Sequence, residues 1–151
     1  MLGMIGALLL VLSGASAGEA AARSLIITER RLADLVSLLE KTGIYLSSEL
    51  LGTEEIFERL SSCENSYSGF FMTDDPVSAL RASSYEMSSR FADYLENFGQ
   101  TDLAGQLAQN ALFLGEVRDS HCTALERRTR LCKLCRLMGV SAGLMAAIIF
   151  F

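Results

Sequence analysis

The spacing of apolar and polar positions divides the chain into two apolar ends and a mixed body. "MLGMIGALLLVLSGASAG" carries no charged side chain from Met1 to Gly18. As a helix it would span roughly 27 Å, close to the hydrocarbon thickness of a bilayer. From Leu25 onward Ile26, Leu32, Leu35, Val36, Leu39 and Ile44 recur mostly at three- and four-residue steps, with charges between them. That period predicts an amphipathic helix continuing the first apolar run. "TEEIFERLSSC" predicts a short helix with Thr53 as its cap and acids in its first turn. "ENSYSG" reads as a loop. "DDPVSALRASSYEMSSRFADYLENFG" reads as one or two helices, opened by the Asp75 cap and Pro76 and closed near Gly99.

Asp102 opens another helical pattern, and no proline interrupts it before the last residue. A helix to Phe150 would be roughly 70 Å long. Leu103, Leu107, Leu114, Val117, His121, Leu125, Cys132 and Cys135 fall within roughly 40° of one line along it. Arg128 falls near the same line, a charge that the apolar pattern does not account for. The final run, residues 137–151, spans roughly 22 Å alone. Starting from Leu131, with Lys133 and Arg136 snorkelling to the interface, it reaches about 31 Å. No strand pattern competes. The expected fold is all-α: a helical-bundle cytoplasmic domain with apolar membrane helices at both termini and a long C-terminal helix. The corresponding divisions are an N-terminal anchor 1–22, a cytoplasmic helical domain 23–136 and a C-terminal membrane segment 137–151.

Charge adds a direction. The chain of 151 residues has net charge −5, which argues against nucleic acid as a partner. Arg23, Arg30 and Arg31 follow the first apolar run; Arg127, Arg128, Arg130, Lys133 and Arg136 precede the last. Basic flanks on the body side of both runs place the body in the cytoplasm and both termini outside. Arg23, Arg30, Arg31, Arg130, Lys133 and Arg136 are the expected topology anchors. Ala15-Ser16-Ala17 also reads as a signal-peptidase site, but the cations follow rather than precede the run. Their order favours an uncleaved anchor.

Small residues add a contact. Gly14 and Gly18 form one G-x-x-x-G, and Gly139 and Gly143 form another. This spacing lets membrane helices approach closely, and in a hairpin both pairs would lie at similar depth.

Candidate chemistry is thin. Cys132 and Cys135 form a C-x-x-C, but they lie deep in a helical pattern rather than at a helix start after a strand. His121, Cys122, Cys132 and Cys135 could ligate zinc only by converging. On one helix residues 122 and 132 stand roughly 15 Å apart. No nucleophile elbow, phosphate loop or dinucleotide fingerprint is present. The chain therefore reads as non-catalytic, with no cofactor and no metal. A thiol-redox protein using Cys132 and Cys135 is the alternative from another class, beside an unrelated membrane scaffold or regulatory protein.

"LENFGQTDLAGQLAQNALFLGEVRDSHCTALERRTRLCKLCRLMGVSAGLMAAIIFF" resembles the stage III sporulation protein AB family. Gly99, Asp102 and Gln106 occupy its Gly-x-x-Asp turn and helix start, and Gly139 and Gly143 its membrane tail. "RRLADLVSLLEKTGIYLSSELL" resembles the family's early helix, with Glu40, Ile44 and Tyr45 in place. After Tyr45 the usual Thr-Pro-Leu is replaced by "SSELLG". The resemblance implies a membrane protein of the mother cell, part of a channel complex towards the forespore. It also implies a soluble domain similar to the cytoplasmic domain of type II secretion F proteins. Its implied partners are a secretion-type ATPase, other membrane proteins of the same complex and the bilayer, with homo-oligomerisation left open. Residues 99, 102 and 106 can serve as a helix corner or as a partner-binding surface. Gly99 can take positive φ, and Asp102 can accept from N–H groups of the next helix.

Overall fold

The computed structural model describes residues 2–49 and 52–150. Among the described residues there are helices and no strand, the α-helices in the order α1 (Leu2–Ile44), α2 (Thr53–Ser61), α3 (Ser68–Phe71), α4 (Pro76–Ala82), α5 (Ser88–Glu96) and α6 (Leu103–Phe150). The apolar N-terminal run and the amphipathic stretch after it form one helix of 43 residues. No proline breaks that stretch. Helix α1 passes into a π-helical turn, Tyr45–Glu49. There the Ser48 hydroxyl donates to the Ile44 carbonyl at 2.6 Å and the Ser47 hydroxyl to the same oxygen at 3.2 Å. Hydroxyls that compete for a backbone acceptor loosen the helix at this point.

The caps follow the sequence with one correction. Asp75 accepts from the Ser78 N–H at 3.1 Å and Pro76 is the first residue of α4. Thr53, by contrast, does not cap α2: extended Gly52 is the N-cap and Thr53 is already helical. The Thr53 side chain lies instead beside Gly99, where an added Cβ would stand 3.1 Å from its Oγ1. The stretch read as one or two helices is two, α4 and α5, separated at Met87, whose φ is +67°. The expected loop "ENSYSG" is part turn and part the single turn of α3.

The chain forms two compact units, 1–29 with 123–151 and 30–122. Helices α1 and α6 contribute to both.

In the 30–122 unit, Leu35, Leu38 and Leu39 of α1 meet Ile56 and Leu60 of α2, Leu80 of α4, Phe91 and Leu95 of α5, and Phe113 and Val117 of α6. Aromatic rings fill the centre. Phe91 lies edge-on to Tyr67 at 5.5 Å between centroids and stacks on Phe113 at 6.1 Å. Burial pushes the Tyr67 and Tyr94 phenols well above the usual tyrosine range. Asn110, itself buried, donates to the Leu39 carbonyl at 3.1 Å and accepts from the Tyr94 hydroxyl at 2.9 Å. One amide thus joins α1, α5 and α6. Gly43 makes room for it, since a Cβ there would stand 3.0 Å from its Nδ2.

The stripe predicted along the last helix is only partly buried. Val117 is buried, but Leu103 and Leu125 are exposed, and Asn110, Phe113 and Ala124 supply burial that the stripe omitted. Ile44, placed on the apolar side of the first helix by its spacing, is also exposed.

Candidate functional site

In the unit of residues 1–29 and 123–151, α1 and α6 run antiparallel, and glycine sets how close they come. A Cβ added to Gly14 would sit 2.5 Å from the Gly139 carbonyl oxygen, and one added to Gly139 would sit 2.5 Å from that of Gly14. At Gly18 the clash is with the Cys135 carbonyl at 2.6 Å, and at Gly143 with the Val11 Cα at 2.9 Å. All four glycines of the two G-x-x-x-G motifs therefore lie in one contact. Backbone packed directly on backbone compensates for the missing side chains through dispersion.

Cys132 and Cys135 belong to this contact. The Cys132 thiol approaches the Ala22 carbonyl at 3.6 Å, and both cysteines are half-buried free thiols. They act there as small apolar side chains between helices.

Two ion pairs extend the same seam. Arg136 donates from Nε to Glu19 at 2.8 Å. Arg128 donates from Nη1 to Glu29 at 2.9 Å, and Glu29 is only 8% exposed. This second pair explains the charge on the apolar line: Arg128 faces α1 because a carboxylate waits there. Sequence reasoning missed the partner, although a lone arginine on an apolar stripe was the signal to look for one.

The expected topology anchors are not equivalent. Arg23 pairs with Glu19 at 3.4 Å, four residues away on the same helix, and Arg136 pairs with Glu19 across the seam. Arg31 holds its guanidinium 3.6 Å over the Tyr85 ring within the 30–122 unit. Arg30, Arg130 and Lys133 are exposed and have no ion-pair partner among the described residues.

Gly99, Asp102 and Gln106 do come together at the corner between α5 and α6. Gly99 has φ +86°. The Asp102 carboxylate accepts from the Gly105 N–H at 3.0 Å, and the Gln106 amide donates to the Thr101 carbonyl at 3.2 Å. Two orphan groups of the helix start and turn are thereby satisfied. Beside this corner is an open groove that the sequence did not announce. Tyr94 and Phe113 form its floor and exposed Leu112 its edge. Across its mouth one Arg90 nitrogen spans both oxygens of Glu116 at 3.1 and 2.9 Å. Those bonds raise the Arg90 guanidinium further above its ordinary value.

Charge is partitioned between the units. Residues 30–122 carry seven basic and fifteen acidic side chains, net −8. Residues 1–29 and 123–151 carry six basic and three acidic, net +3. Both α1 and α6 are long and apolar enough to cross a membrane. No curated relative and no solved structure matches the chain. A family model does: residues 77–151, from α4 to the end of α6, match stage III sporulation protein AB. By that match, over about half its length, the chain belongs to the stage III sporulation protein AB family.

Proposed function

We propose that this protein is a non-catalytic membrane component of a mother cell-to-forespore sporulation channel, and that its acidic helical unit docks a secretion-type ATPase. Family membership carries the role in stage III of sporulation. The observation that supports the rest is the pairing of a glycine-packed antiparallel hairpin with an acidic bundle built on the same two helices. A hairpin of this kind anchors; a bundle of net charge −8 offers a soluble partner an electrostatically distinct surface.

The basic residues that flank the apolar segments orient the bundle towards the cytoplasm, on the mother-cell side. A cytoplasmic ATPase would meet it there. The other membrane proteins of the complex would meet other apolar faces of α1 and α6, where Leu8, Leu12, Met138 and Ile149 are exposed.

In vivo crosslinking in sporulating cells, with mass spectrometry of the partners, tests this reading. It should recover a secretion-type ATPase through the 30–122 unit and membrane proteins through the hairpin. Recovery of neither would overturn it.

A further inference from the structure

The six cations of the hairpin unit divide by the face they occupy. Arg128 and Arg136 point along the seam and are neutralised by Glu29 and Glu19, and Arg23 also pairs with Glu19. Arg127, Arg130 and Lys133 are exposed on α6 with no ion-pair partner among the described residues. At 100° per residue these three lie within about 60° of one line, and Gly139 in the seam lies about 180° from Arg130. Arg130 therefore faces directly away from α1, with Arg127 on one side of it and Lys133 on the other, where Lys133 borders a depression shared with Ile26 of α1.

The same outer line continues towards the C-terminus as apolar surface. Leu134, Leu137, Leu144 and Ile148 fall within about 40° of it, and they are 51%, 68%, 49% and 78% exposed. One uncovered face thus changes from cationic to apolar near Lys133. The cationic part is roughly 9 Å long and the apolar part roughly 22 Å. Arg127 and Arg130 line a shallow depression with Thr123, Glu126 and Leu131. Glu126 is the one carboxylate on this part of the face, so the local excess remains positive.

We propose that Arg127, Arg130 and Lys133 form a binding surface for the phosphate headgroups of anionic phospholipids, with the acyl chains along Leu134, Leu137, Leu144 and Ile148. The order of chemistry on the face is that of such a lipid: anion first, hydrocarbon beyond. Long basic side chains reach headgroups while their stems cover apolar surface. A soluble acidic partner would match the cations but leave the adjoining apolar strip uncovered. The inference rests on the membrane reading of the hairpin, and its test separates the two.

The full chain is reconstituted into vesicles of phosphatidylcholine alone and of phosphatidylcholine with about a quarter phosphatidylglycerol. Retention through alkaline extraction is measured first. Loss of the chain at that step would sink the membrane reading, and this inference with it. The lipids that stay with the gently extracted protein are then counted by native mass spectrometry. Phosphatidylglycerol should be retained over phosphatidylcholine by about tenfold, with the preference collapsing near 1 M salt. Arg127→Gln/Arg130→Gln/Lys133→Gln should abolish it, Arg127→Lys/Arg130→Lys should keep it, and Arg59→Gln in the other unit should leave it unchanged. An integral protein with no preference, or an undiminished preference in the triple variant, overturns the proposal. So does displacement of the lipid by inorganic phosphate at matched ionic strength, which would assign the cations to the free anion.

Discussion

Arg128 of α6 and Glu29 of α1 are 99 residues apart in sequence and 2.9 Å apart in the fold. Glu29 is nearly buried, whereas the Arg128 side chain is 41% exposed. The pair holds two long helices at a defined rotation, because only one face of each presents its partner charge.

Removing one member should therefore cost more than an exposed ion pair does. Arg128→Ala removes one partner of the nearly buried Glu29 carboxylate and should destabilise the chain by about 1–3 kcal/mol, below a fully buried pair because of the exposed guanidinium. Exchanging the two charges, Glu29→Arg with Arg128→Glu, should recover part of that loss. Thermal unfolding of the purified chain in detergent measures both. Equal stability of Arg128→Ala and the parent would remove the pair from any role in the seam.

The glycine contact predicts a steric outcome. Gly139→Leu or Gly143→Leu should separate the helices, since even a Cβ at these positions falls inside 3.0 Å of backbone atoms. Overpacking of this kind costs about 1–3 kcal/mol. An Ala22→Cys variant with the native Cys132, and the other cysteines replaced by alanine, reports the seam by oxidative crosslinking. Crosslink yield should drop sharply when either leucine is added.

Asn110 connects three helices through one buried amide, so its removal should be felt in all of them. Asn110→Ala leaves the part-buried Tyr94 hydroxyl without this acceptor and the Leu39 carbonyl without this donor, and should cost about 1–3 kcal/mol. The melting temperature would fall by about 2–4 °C for each kcal/mol. Asn110→Ala with Tyr94→Phe should cost less than the sum of the single changes, as a double-mutant cycle on the full chain would read.

Asp75 gives a pH dependence with a definite sign. The Ser78 hydroxyl, then its N–H, hold the Asp75 carboxyl below the usual carboxylate range. A folded-state value lower than the unfolded one stabilises above the unfolded value, and that stabilisation is lost as pH falls through the folded one. Asp75→Ala should lower the melting temperature at neutral pH. The difference from the parent should shrink below about pH 4 and vanish at lower pH. A gap that is constant across this range would show that the charge of Asp75 contributes nothing.

At the α5–α6 corner, structure and docking can be told apart. Asp102→Ala removes a helix cap and should cost on the order of 1 kcal/mol. Unchanged stability with loss of ATPase recovery in a pull-down would assign Asp102 to the partner surface instead.

The long helices were legible because their causes are local. Absence of proline, a three-to-four period and uninterrupted apolar runs are properties of neighbouring residues. Asp75 as a cap, Pro76 as a first helical residue and Gly99 as a turn of positive φ were legible for the same reason. Thr53 was misread as a cap because Gly52, which takes that position, carries no side-chain signal. Ile44 and Leu103 were misread as inward because a helix period gives the spacing of a face, not its absolute rotation.

By itself the sequence determined an all-α chain with two apolar ends, basic flanks and small residues at a spacing suited to close helix contact. It also carried the turn of Gly99, Asp102 and Gln106 and the family resemblance. Only the tertiary structure decided which faces meet. It set Gly14 and Gly18 against Gly139 and Gly143, gave Arg128 its carboxylate and drew Asn110 to Leu39. It left Arg127, Arg130 and Lys133 uncovered. These outcomes depend on backbone approach and on partners about a hundred residues away, and neither is encoded in the neighbours of a residue.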